Sequence, residues 1–531
     1  MIGGKDGAKK FDFWQKSNFW VVLTLLFGAT LRLLWLGEKS LWLDEAFSLW
    51  VANRPWAEIW GQLVALDQHP PAYYLLLSAW TGWAGQREVG LRLLSVLAGI
   101  STIPVVYAAT SRFLTRPTAG IATLLLALSP FHIAYAQEAR MYGWLGLAGA
   151  GAMWGLAELW RAEWPPLRRG WWTLLILAEA GAMWLHNSAL LLPVALTLAA
   201  LALGARPRRW FLSQLLVGLL WLPWLPGFLA QARSVADGFW IAPPTWMTVA
   251  ETFANFGMSF LPYWLPGRLL WAMPLTALAA WGAIVLLRHP QTRRVGMALI
   301  ALLLTPILGQ LAASLIRPIY GDRTMIWAGL PFLMLAAHGW INLGRTGAAP
   351  RSSQVRDLAG PPQKILGSTR RVTDPARARG TWLRWVVAGA FFTLTTLALF
   401  NYYVDSPKEE WREAAVLVAA HIQPGEGVIF NAGWTRIPFD YYFDQTSQGA
   451  STPRFGLPVD PFERGELEPV MAESDLPHLD GLIRDRPGVW LIYSHEAYTD
   501  PDGLILAALN RQMRLSGEWS FVGVRVMRFT P

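Results

Sequence analysis

Two adjacent carboxylates, Asp44 and Glu45, stand in the stretch Leu41-Trp-Leu-Asp-Glu-Ala-Phe-Ser48, just after a long apolar run that begins near Asn18. A charge at the end of such a run must be solvated or put to use. On the plain reading, the pair starts a solvated loop. On the chemical reading, a carboxylate in a partly dry cleft is a general base that takes a proton from an attacking hydroxyl or amine. Further on comes Asp67-Gln-His-Pro-Pro-Ala-Tyr-Tyr74. Pro70 and Pro71 stiffen the backbone and disfavour a helix before them. His69 then reads either as a hydrogen-bonded structural residue or, with Asp67, Tyr73 and Tyr74, as part of a fixed loop suited to phosphate or sugar. In Ser129-Pro-Phe-His-Ile-Ala-Tyr-Ala-Gln-Glu-Ala-Arg-Met-Tyr142, the polar residues Gln137, Glu138 and Arg140 crowd between two apolar runs. They form a salt-bridged hairpin tip, or a second acid with an Arg whose planar donors bind two phosphate oxygens at once. The turn Arg317-Pro-Ile-Tyr-Gly-Asp-Arg323 offers a similar pair, Asp322 and Arg323. There an interfacial anchor is the plain alternative. His186 and Asn187 read as structural.

The elements that must hold these residues are membrane helices. Of 531 residues, 53% are hydrophobic and only 15% charged, with 32 Trp. Soluble domains carry about 25% charged residues, and Trp favours membrane–water interfaces. With no Cys, disulfides, thiolate metal sites and Cys nucleophiles are excluded. Apolar runs of spanning length fall near 19–36, 91–110, 118–135, 141–160, 171–186, 189–204, 210–226, 268–287, 296–315, 324–343 and 382–400, about eleven in all. The run 239–267 is broken by Pro and Trp and reads as interfacial, as does Pro70 to Trp83.

Charge sets the expected orientation. With residues 1–18 in the cytoplasm and the first span uncleaved, the inner segments carry 24 Lys/Arg and the outer loops eight. Excess Lys/Arg marks cytoplasmic loops. The first outer loop is then 37–90, and Asp44, His69, Glu138 and Asp322 share the outer face. The Pro-, Ser- and Arg-rich stretch 344–381 reads as a cytoplasmic linker. From Asn401 onward there are 11 Lys/Arg against 19 Asp/Glu, while the first 400 residues hold the other 34 and 17. A basic membrane part with an acidic tail excludes nucleic acid as a partner. Within 404–531, Glu409–Ile422 has helical spacing, Gly427–Asn431 and Val489–Tyr493 are buried-strand patterns, and Phe521–Phe529 alternates like an edge strand. The expected fold is a polytopic α-helical bundle, residues 19–400, followed by a small exoplasmic α/β domain. Nucleotide-binding, zinc-protease and nucleophile-elbow motifs do not occur.

Taken together, these stretches resemble the GT-C class of bacterial membrane glycosyltransferases, in particular the protein mannosyltransferases and aminoarabinose lipid A transferases. The resemblance rests on Leu43-Asp44-Glu45, His69-Pro-Pro-Ala-Tyr-Tyr74, Arg92-Leu-Leu-Ser95 and Gln137-Glu-Ala-Arg-Met-Tyr142. Looser matches are Asp322-Arg323, where Thr324 stands in place of a frequent Tyr, and Trp411-Arg-Glu-Ala-Ala415 with Pro424-Gly-Glu-Gly427 and Asp440-Tyr-Tyr442 in the tail. It implies an inverting transferase in the cell membrane. Such an enzyme moves a sugar from a polyprenyl-phosphate donor to a lipid, glycan or protein acceptor at the outer leaflet. Carried over, Asp44 is the base with Glu45 beside it, and Glu138 is a second acid that positions acceptor or ion. His69, Arg140 and Arg323 bind the donor phosphate, and Tyr73, Tyr74, Gln137, Tyr142 and Asp322 complete the substrate-binding set. No cofactor is implied. Two acids would suffice to hold a divalent cation, and no metal ligands are assigned. The competing readings are a lipid or polysaccharide transporter, which would place ionisable residues near the midplane, whereas Glu158 and Glu179 lie near the inner half or alone, and a glycan ligase of the same fold.

Overall fold

Each apolar stretch read as a span falls on a helix. The computed structural model describes residues 4–167, 170–237, 241–344, 375–460 and 469–531; most of the expected linker 344–381 lies outside them. The helices are α1 (Gly4–Leu33), α2 (Leu43–Ala52), α3 (Trp56–Leu66), α4 (Ala72–Ala84), α5 (Glu88–Phe113), α6 (Arg116–Leu128), α7 (Pro130–Ala136), α8 (Tyr142–Arg161), α9 (Gly170–Leu185), α10 (Leu191–Ala202), α11 (Pro207–Trp221), α12 (Leu225–Asp237), α13 (Trp246–Met258), α14 (Arg268–Arg288), α15 (Arg293–Ser314) and α16 (Gly329–Asn342), then Pro375–Phe400. Among the described residues, six helical stretches are long and apolar enough to cross a membrane, and three shorter apolar helices accompany them. The stretch 118–135, expected as one span, is instead α6 and α7, bent by 56°. Ser129 and Pro130 cause the break. The Ser129 side chain accepts from His132 N and caps a new helix with Pro at its first position. The carbonyls left over at the end of α6 are taken by a buried guanidinium: Arg32 donates to Ala127 O and Leu126 O, both at 3.1 Å. A cation at a helix C-terminus also meets the negative end of the dipole.

The chain forms two compact units. The first comprises residues 1–34, 95–225 and 241–405; the second comprises 35–94, 226–240 and 406–531. In the first unit α14 and α16 cross at reciprocal glycines. A Cβ on Gly282 would lie 2.0 Å from Leu335 O, and one on Gly339 would lie 1.9 Å from Leu278 O. Small residues let membrane helices approach this closely.

In the second unit the tail forms a five-stranded sheet of β1 (Gly427–Asn431), β2 (Arg454–Leu457), β3 (Val489–Tyr493), β4 (Arg514–Phe521) and β5 (Val524–Thr530). The order is β2-β1-β3-β5-β4. β2, β1 and β3 run parallel, and β5 pairs antiparallel with both β3 and β4. The strands expected at 427–431 and 489–493 are present, buried at every position. The expected edge strand is corrected: β5 is internal, and the edge is β4. The alternation that suggested an edge comes from β5 having one well-covered face, with every second residue only partly buried along much of its length.

Candidate functional site

Helix α2 places the acid pair in its first turn, where carboxylates are favoured by the helix dipole. The two acids then part company. Glu45 is fully buried. Arg92 Nε donates to its Oε1 and Arg92 Nη2 to its Oε2, both at 2.8 Å, and Lys408 Nζ lies 3.0 Å from Oε2. The other Arg92 hydrogens go to Leu36 O and Lys39 O at 2.8 Å and to Ser40 O at 2.9 Å. All five guanidinium N–H groups are thus matched, and the loop leading into α2 is wrapped around Arg92. A second carboxylate finishes the mount. Trp42, the residue before α2, gives no side-chain cap; Glu409 Oε2 accepts from Leu43 N at 3.0 Å and from Trp411 Nε1 at 2.7 Å. Arg412 and Tyr442 tie the same loop from the tail. Arg412 donates to Glu88 at 2.6 Å, and the Tyr442 hydroxyl accepts from Leu41 N at 2.7 Å. Asp44, half-buried, sits one residue from this lattice on a backbone that the lattice holds still.

His69 is oriented, as the two prolines suggested. Its Nδ1 is 2.8 Å from Asp67 Oδ1, and the Tyr74 hydroxyl donates to Asp67 Oδ2 at 2.5 Å. The buried Gln231 donates to Leu63 O and His69 O, each at 3.1 Å, and fixes the loop backbone. Tyr73 is fully buried and stacks edge-on against Tyr74 at 6.1 Å.

In the first unit three turns gather at one end of the bundle. Arg323 lies over the Tyr142 ring at 5.7 Å, and that ring neighbours Tyr135 at 5.2 Å and His186 at 6.2 Å. Asp322 accepts from Asn255 Nδ2 and from Arg323 N, both at 2.6 Å. Ser188 Oγ donates to Thr324 O at 2.6 Å, while Gln310 braces the turn through Thr324 Oγ1 and Gly321 N. Arg140 is buried and Glu138 half-buried on the turn into α8, where Ser95 Oγ donates to Arg140 O at 2.9 Å. Gln137, expected to bind substrate, serves as a clasp. Its Nε2 donates to Arg32 O at 3.0 Å and Leu34 O at 2.8 Å, and its Oε1 accepts from Tyr402 at 2.9 Å. Among the described residues no group of three or more His, Asp or Glu is arranged to hold a metal ion.

Sequence reasoning missed Arg92 as a brace, and with it Lys408, Glu409, Gln231 and Arg32. An Arg inside an otherwise apolar helix was the available signal, because such a charge must find partners.

Residues 68–228 match the family described as dolichyl-phosphate-mannose-protein mannosyltransferase. No curated protein matches. Among solved structures, ArnT from Cupriavidus metallidurans in the apo state aligns over 97% of this chain and 98% of its own, with a TM-score of 0.60 and 16% identity. The same protein bound to undecaprenyl phosphate gives 0.56 and 15%, over 96% and 98%. The archaeal oligosaccharyltransferase AglB from Archaeoglobus fulgidus, in complex with an inhibitory peptide and a dolichol-phosphate, gives 0.56 and 10%, over 97% of this chain and 74% of its own. The fold is that of the GT-C glycosyltransferases. The GT-C likeness read from the sequence, specific in the first 145 residues and looser beyond, agrees with fold matches that cover nearly the whole chain. It describes a polytopic helical membrane protein with a small C-terminal α/β domain.

Proposed function

We propose that the chain is an inverting membrane glycosyltransferase that takes its sugar from a polyprenyl-phosphate donor at the outer face of the cell membrane. The observation that carries this reading is the division of labour in the acid pair. Glu45 is consumed by Arg92 and Lys408, so the neighbouring Asp44 stands on a fixed helix turn as the base. The fold likeness to proteins solved with undecaprenyl phosphate and dolichol-phosphate supports a lipid-phosphate donor. The Lys/Arg bias of the loops supports the outer face.

In the proposed reaction, Asp44 accepts the proton of the acceptor hydroxyl or amine as that atom attacks the anomeric carbon. The bond from carbon to phosphate oxygen breaks, and its electron pair leaves on the polyprenyl phosphate. Attack opposite the leaving group inverts the anomeric centre. The resemblance assigns stabilisation of the phosphate charge to Arg140, Arg323 and His69 and positioning of the acceptor to Glu138. The acceptor is a lipid, a glycan or a protein.

The test is transfer by the purified protein in lipid nanodiscs supplied with polyprenyl-phosphate sugars. Asp44→Asn is expected to lower turnover about 10²–10⁴-fold, the usual contribution of a general base, while donor binding persists. Unchanged turnover would remove Asp44 as base. Mass analysis of the product separates single-sugar transfer from glycan ligation. Movement of lipid without any covalent product would favour a transporter.

A further inference from the structure

The tail domain has an open cavity of about 350 Å³ at the C-terminal end of β3, lined by Glu409, Tyr493, His495, Glu496, Phe521 and Arg525 among others. In sheets of this order, with β1 flanked by β2 and β3, the crevice beyond the strand ends is where ligands bind. The backbone there is strained as well. Ala432 after β1 and His495 after β3 adopt φ of 60° and 58°, a left-handed conformation that non-glycine residues hold at a cost. The volume is near the low end of small-ligand sites.

The lining sets donors and acceptors side by side. Arg525 Nη2 is 3.2 Å from Glu496 Oε1, and His495 Nε2 is 3.4 Å from Glu409 Oε1. An anion would meet two carboxylates, and a cation would meet an arginine. A neutral polyol fits instead. Its hydroxyls donate to the carboxylates and accept from Arg525 and His495, while its C–H face packs on Phe521 and Val524.

Glu409 also connects this cavity to α2. One carboxylate oxygen faces His495 in the cavity, and the other holds Leu43 N, one residue before Asp44. We propose that the cavity is a saccharide-binding subsite, one to two rings in size, and that Glu409 transmits its occupancy to the first turn of α2. This goes beyond sugar transfer and does not depend on it, because binding needs no donor.

The test is hydrogen exchange of the full chain in nanodiscs, with methyl glycosides of common hexoses, methyl xyloside, inorganic phosphate and choline as probes. At least one glycoside is expected to slow exchange at 494–498 and 521–525, and also at 43–47. Glu496→Gln and His495→Gly are each expected to weaken that protection about tenfold, the size of a lost charged hydrogen bond. In His495→Gly the relief of the positive φ offsets part of the stability lost with the ring contacts to Trp434 and Tyr498. The subsite is overturned if no glycoside protects these segments, if phosphate or choline protects them instead, or if protection survives in both variants. Protection of the cavity without change at 43–47 overturns the relay through Glu409.

Discussion

At the residue scale, two neighbours of like chemistry take opposite parts. Asp44 and Glu45 are indistinguishable as letters, and the sequence supports only the pair. What separates them is Arg92, 47 positions away, and Lys408, 363 positions away; no local pattern reports partners at that distance. The buried brace makes a sharp prediction. Glu45→Gln leaves two cations facing a neutral amide and is expected to cost about 3–5 kcal/mol of stability, as breaking buried pairs does. Adding Lys408→Met should recover part of that loss, because it removes one stranded charge. Chemical denaturation in detergent, followed by near-ultraviolet circular dichroism, measures both. Arg92→Lys should fail as well, since an ammonium has three donors and no planar fork.

At the element scale, the helices were legible because apolar length alone betrays them, whereas breaks and pairings were not. Ser129-Pro130 could be read as a helix start, but the bend it produces holds only because Arg32, from another helix, caps the end of α6. The position of β5 inside the sheet was missed because the alternation in β4, Leu515, Trp519 and Phe521 against Ser516, Glu518 and Ser520, was not read as a second strand. The crossing of α14 and α16 gives a test of packing. Gly339→Ala sets a methyl against the Leu278 carbonyl, where backbone cannot give way. It should cost about 1–3 kcal/mol, seen as a lower unfolding temperature, while Gly218→Ala, with open space around it, should be neutral.

The helix Arg436–Phe443 supplies a pH-dependent tie. Burial pushes the Tyr442 hydroxyl up to about 12 from its ordinary 10.0. A raised pKa means the folded state holds the proton longer than the unfolded chain. The stabilisation from the neutral hydroxyl is therefore complete below about pH 10 and lost as pH rises toward 12. Tryptic cleavage of the first loop should accelerate across that window in the wild type. In Tyr442→Phe this pH step should be smaller but not absent, because the neighbouring Tyr441, whose hydroxyl donates to Gln86 O in the same loop, is also pushed up by burial.

At the scale of the whole molecule, the bundle and the α/β tail were both readable from composition. The companionship of residues 35–94 with 406–531 in one compact unit was not. Contacts such as Leu43 to Glu409 and Arg412 to Glu88 join stretches separated by most of the chain. The tail is therefore expected to govern chemistry it does not perform. On the proposed reading, Lys408→Met with Glu409→Gln should reduce kcat more than it raises KM for the donor, because it loosens the turn that carries Asp44 and leaves the proposed donor-binding residues untouched. Steady-state kinetics at varied donor concentration decides this, and an effect confined to KM would contradict it.

The stitching of that unit from the chain's two ends also orders events during biosynthesis. The ribosome makes the loop with Asp44 early and Arg92 soon after, but Lys408, Glu409 and Arg412 emerge only after the last membrane helix. A nascent or prematurely terminated copy carries Asp44 on a loop without those ties. With Asp44 as the proposed base, activity is expected only once the tail has been translated.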